Sequence, residues 1–164
     1  MMKMEVQRRH ATAGFTLLEM LLVVTIIAIL AALLLPAVRR AIINAEIARA
    51  QVTSKQLATA FRQYQSESGL WPTNATGTLT VDDKLVLSLI GTNMSRTVFL
   101  EIELKSWKND GTGYLDPWGR AFQCRFDQTY RDGIVTPDDS RTVPQGVLVW
   151  STGPLGNGVY AKSW

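Results

Sequence analysis

Residues 20–38 form an uncharged apolar run of 19 residues with one carboxylate, Glu19, at its entrance. At about 1.5 Å per residue, a helix of that length extends about 29 Å, close to the hydrocarbon thickness of a bilayer. A secretory signal core is shorter, about 7 to 15 residues, and ends at a small-residue cleavage site. This run instead ends in Pro36-Ala37-Val38-Arg39-Arg40, so it reads as a segment that spans. An ionised Glu beside a bilayer-length helix costs on the order of a few kcal/mol unless it is paired. Glu19 is therefore a candidate functional residue, and a partner is expected for it. Lys3, Arg8 and Arg9 precede the span and Arg39, Arg40 and Arg49 follow it, so positive charge alone does not orient it.

The helical pattern continues beyond the span. Ile43, Ile47, Ala50, Leu57, Phe61 and Tyr64 recur at spacings of three, four or seven, with Arg49, Lys55, Arg62 and Glu67 mostly off that stripe. Gly69 is a natural stop and Pro72 forbids a resumption close behind it. One helix over residues 15–68 is predicted, roughly 80 Å long, whose second half offers an apolar face to whatever follows. Pro36 removes one hydrogen bond and crowds the preceding turn, so a kink or local melting is expected at 33–37.

The remaining residues suffice for one compact domain. A short helix is expected at 81–90, with Asp82 and Asp83 in its first turn, and strands at 99–105, 120–126 and 146–150, with a further one at 159–162. Residues 74–80 read as a turn, and 108–113 and 131–142 as loops. The fold class is α+β: a long N-terminal membrane-spanning helix packed on a small C-terminal head with a short helix and an antiparallel sheet.

Several function classes are excluded by composition. His10 is the only histidine and Cys124 the only cysteine, which removes an intramolecular disulfide and leaves nothing for Cys-His chemistry once residues 1–14 are gone. Cys124 is expected as a small buried hydrophobe in a strand. No basic run with interleaved aromatics occurs in the head, so no nucleic-acid partner is expected. A membrane-anchored enzyme would need converging polar groups, and the head offers only scattered Asp residues in loops.

Gly14-Phe15-Thr16-Leu17-Leu18-Glu19 after a short basic leader, with Pro36 inside the apolar run, resembles the class III signal of type IV pilins and type II secretion pseudopilins. The head is similar to the major pseudopilins of type II secretion in the order of Ser68-Gly69-Leu70-Trp71-Pro72, Asp116-Pro117-Trp118-Gly119 and Trp150-Ser151-Thr152-Gly153-Pro154. The resemblance implies cleavage between Gly14 and Phe15 by a prepilin peptidase and N-methylation of Phe15. It divides the chain into a leader, 1–14, an assembly helix, 15–38, and an exported head with the amphipathic half of the long helix, 39–164. It further implies a single-pass protein of the bacterial inner membrane with its head in the periplasm, assembled into a pseudopilus that drives protein export. The implied partners are further copies of itself in a helical filament, other pseudopilins, the peptidase and an inner-membrane assembly platform. A minor or major pilin of a type IV pilus or competence filament is the alternative. For the Asp116, Pro117, Trp118, Gly119 turn the residues themselves indicate a structural corner, with Pro117 setting it and Trp118 as an apolar plug.

One departure concerns calcium. Major pseudopilins, as the resemblance has it, bind calcium with an Asp-rich loop after the Ser-x-Gly element; here no acidic residue follows Asp139. A hard cation takes six to eight oxygen ligands, usually including carboxylates. Asp127, Asp132, Asp138 and Asp139, with Ser151, are the side chains that could reach such a site from the preceding loop. They are expected as solvated turn residues, with no cofactor and calcium as the lesser alternative.

Overall fold

A computed structural model describes residues 16–92, 96–103, 105–107, 109–156 and 158–164. Within it the chain divides into two compact units, Met1–Ile42 and Ile43–Trp164. Helix α1, Leu17–Ser68, runs through the boundary. The expected start at Phe15 lies outside the described residues, within which the helix begins at Leu17. It ends where the sequence stops it: Gly69 takes a φ of 76°, a left-handed conformation that favours glycine, and its N–H donates to the Gln65 carbonyl at 2.8 Å. Of the kink or local melting expected at 33–37, the melting is not found, since α1 continues as helix across Pro36. A proline deletes one donor from the ladder, and the neighbouring helical bonds suffice to carry the turn.

In the first unit every described residue of α1 is exposed. In the second, Ala50, Ser54, Leu57, Ala58, Ala60 and Phe61 are buried. They form the helical wall of a core completed by Trp71, Val81, Leu85, Val86, Leu89, Phe122, Cys124, Phe126, Val147 and Val149. Phe61 meets the Phe126 ring edge-on at 5.1 Å, a preferred aromatic geometry.

Strand β1 (Leu79–Thr80) is followed by helix α2 (Asp83–Leu89) and by strands β2 (Gln123–Phe126), β3 (Ile134–Val135), β4 (Thr142–Val143), β5 (Val147–Ser151) and β6 (Ala161–Lys162). An antiparallel sheet has the order β1-β2-β5-β6, with Cys124 opposite both Leu79 and Val149. Asp82 caps α2 by accepting the Leu85 N–H at 2.9 Å, so the helix starts two residues later than expected. Strand β5 is buried throughout. Val147 and Val149 enter the main core, while Leu148 and Trp150 join Ile134, Val159 and Trp164 in a second cluster.

Three expectations are corrected. Residues 99–103 are not a strand, although their burial alternates with Leu100 inside and Glu101 and Glu103 outside; Leu104 lies outside the described residues. The Phe99 and Leu100 N–H groups both donate to the Leu89 carbonyl, so the segment is tied to the end of α2 and not to a ladder. The predicted loop 131–142 contains β3 and the start of β4, paired with Ile134 opposite Val143. The predicted turn 74–80 ends in β1, which closes one edge of the sheet.

Candidate functional site

In the first unit, the beginning of α1 is built as a capping box. Thr16 stands immediately before the helix, its hydroxyl accepting the Glu19 N–H at 3.2 Å. Glu19 reaches back, and its Oε2 accepts both the Thr16 N–H and the Thr16 hydroxyl at 2.8 Å. Two otherwise unsatisfied backbone donors are thereby satisfied, and the carboxylate lies at the positive end of the helix dipole. The Thr-x-x-Glu spacing was visible in the sequence and identifies this local partner for Glu19. Gly14 and Phe15 lie outside the described residues. Behind the cap, α1 contains a stretch long and apolar enough to cross a membrane, none of it buried within the chain.

In the second unit, the Asp116 corner is the other candidate site. Asp116 is buried, and its Oδ1 accepts the N–H groups of Trp118 at 3.0 Å and Arg120 at 2.9 Å. Its backbone N–H donates to the Arg120 carbonyl at 2.7 Å, and the Gly119 N–H donates to the Asp116 carbonyl at 3.0 Å. Gly119 has a φ of 77°, which this turn requires. Pro117 supplies the fixed φ of the turn. Trp118 is partly buried against the core, meets Tyr160 edge-on at 5.5 Å and donates its indole N–H to Glu46 of α1 at 3.0 Å. Trp118 thus has a polar link to α1 besides its role as an apolar plug.

The acidic residues weighed for calcium are engaged separately. Asp127 Oδ1 accepts the Thr129 and Tyr130 N–H groups and Oδ2 that of Gly133, an arrangement that folds the loop after β2. Burial opposes its charge, but the bonds from Thr129, Gly133 and Tyr130 prevail and hold the carboxyl below its ordinary range. Asp138 pairs with Lys162 at 2.8 Å, and that hydrogen bond lowers its pKa. Asp139 bonds the Thr136 hydroxyl and Arg141, chiefly the first of which brings its pKa down to about 2. Asp132 is exposed. Ser151 donates to Asp116 Oδ2 at 2.5 Å. Among the described residues no three His, Cys, Asp or Glu side chains converge to hold a metal ion. Cys124 is buried in β2, and burial followed by the charge of Asp82 pushes its thiol pKa up, which makes it a poor nucleophile.

A family model described as the prokaryotic N-terminal methylation motif matches residues 9–35. Over 121 residues the chain is 31% identical to the type II secretion system core protein G of Pseudomonas aeruginosa, covering 71% of this chain and 75% of that one. The chain belongs to the type IV pilin and pseudopilin family. It is also 32% identical over 123 residues to the fimbrial protein EcpC of Eikenella corrodens, covering 63% of this chain and 80% of that protein. A type IV major pilin protein of Neisseria gonorrhoeae is 36% identical over 61 residues, which cover 37% of this pilin-family chain and 28% of that one. No solved structure matches at a significant level. The exposed apolar stretch of α1 and the head of a short helix and antiparallel sheet agree with this membership.

Proposed function

We propose that this chain is a prepilin-like structural subunit of a type II secretion pseudopilus, cut between Gly14 and Phe15 by a prepilin peptidase, methylated at the Phe15 amine and polymerised through its N-terminal helix. The observation that carries the reading is the 121-residue likeness to a secretion core protein, which extends well beyond the apolar segment into the head. The subunit waits in the inner membrane with its head in the periplasm, and acts by assembling, not by catalysis. As the helix leaves lipid for the filament core, the neighbour's Phe15 amine becomes the second partner of Glu19. In low dielectric that pair offsets the burial of both charges, whereas one partner alone is stranded at a cost of about 3 to 5 kcal/mol. Other pseudopilins and an inner-membrane platform are the further partners of this process.

The likeness to EcpC over a comparable length favours a second reading, a pilin of a type IV pilus. Two measurements separate and test these. Mass spectrometry of membrane-extracted protein is expected to find a methylated Phe15 start; an intact leader in cells with an active peptidase would refute both readings. Deleting the gene is expected to stop export of folded proteins; loss of surface pili with export intact would favour the pilus.

A further inference from the structure

The C-terminal turn at 153–156 sits against the Asp116 corner. Gly153 donates its N–H to the Ser151 hydroxyl at 3.0 Å, and that hydroxyl donates in turn to buried Asp116. Arg120, whose backbone is fixed by Asp116 on both its N–H and its carbonyl, extends its guanidinium to the turn. There Nη2 donates to the Pro154 carbonyl at 3.2 Å. The same guanidinium lies directly on Gly156: a Cβ added there would stand 2.2 Å from Nη1 and 2.6 Å from Cζ. Gly156 also has a φ of 72°, so its backbone calls for glycine, and the guanidinium takes the space beside it. A cation thus already engages the Pro154 carbonyl, and its charge would repel a metal ion brought to the same oxygen.

We propose that Arg120 is the built-in cation that clips the C-terminal turn to the Asp116 corner, so that the head closes independently of calcium. A guanidinium suits the task because it donates to a carbonyl while filling the space beside the turn, and it stays charged at any working pH. The inference concerns the head alone and stands for a pseudopilus and a pilus alike.

Hydrogen exchange on the full chain in detergent tests it, read at the amides of Gly153, Gly156 and Tyr160, the last of which donates to the Ser151 carbonyl at 2.9 Å. Arg120→Ala is expected to raise exchange there about tenfold, while the amides of α1 and β2 stay protected. Arg120→Lys is expected to restore part of the protection through its charge. Wild-type exchange is expected to be the same with millimolar calcium as with a chelator. The proposal is overturned if Arg120→Ala leaves these amides unchanged, if it loosens the whole head equally, if Arg120→Lys exchanges as fast as Arg120→Ala, or if the chelator raises exchange in the wild type.

Discussion

The α1 residues 17–42 and the head at 43–164 treat their apolar side chains in opposite ways. Leu17 is 87% exposed and Leu33 69%, whereas Leu57, Phe61 and Leu89 are 0% exposed. The difference does not follow from how apolar each stretch is, since the exposed one is the richer in Leu, Ile and Val. It follows from what each can cover by itself. The head has strands β2 and β5 to lay over its stripe of α1, so an amphipathic pattern suffices and the core is complete within one chain. The first stretch is exposed along its described length and, over residues 20–38, apolar all round, a composition that is stable only when lipid or other helices surround it.

Truncating a side chain in each region sharpens that contrast most. Phe61→Ala removes a ring packed against Phe126 and is expected to destabilise the head by about 3–5 kcal/mol, read as a lower melting temperature of the detergent-solubilised chain. Ile27→Ala, in the exposed stretch, is expected to leave the same transition unmoved. Equal effects would mean that the two regions fold as one unit.

Acid gives a smaller effect confined to the head. Asp127, Asp138 and Asp139 have pKa values lowered by folding, so the unfolded chain binds protons more tightly than the native one in that range. Their contribution to stability is fully present above the ordinary carboxylate range near 4. It is lost as pH falls through the depressed folded values, which reach about 2 at Asp139. The melting temperature is expected to fall steadily from pH 5 to pH 2, and a flat profile would contradict this account of the three carboxylates.

Much of this was legible in the residues, and the exceptions have physical causes. The end of α1 at Gly69, the presence of α2 behind its acidic start and the continuous apolar run of β5 are local signals that tertiary contacts did not override, although Asp82 caps α2 where it was expected inside the first turn. Residues 99–103 misled because alternation reports which side chains are buried, not whether a backbone finds a ladder. The Leu89 carbonyl took both N–H groups that a strand would have offered a neighbour. β3 was hidden for the opposite reason: its surroundings are Asp, Pro and Ser, and only the packing of Ile134 on Leu148 and Trp150 reveals it. At the assembly end, Glu19 stood out as a charge needing a partner. The Thr16 cap that serves it within the chain is equally readable from the Thr-x-x-Glu spacing, a local partner that does not depend on any neighbouring subunit.

Glu19 serves assembly beyond capping its own helix, and Glu19→Ala as the sole copy in the cell tests this most directly. Filament yield would be measured beside precursor cleavage and head melting. Cleavage and melting are expected to stay near wild type, because the scissile bond precedes Glu19 and the core of the head contains none of its contacts. Filaments are expected to be lost, because each Phe15 amine would enter the bundle without its carboxylate. Normal filaments from the Glu19→Ala chain would contradict the pairing and leave Glu19 with its helix-capping role alone.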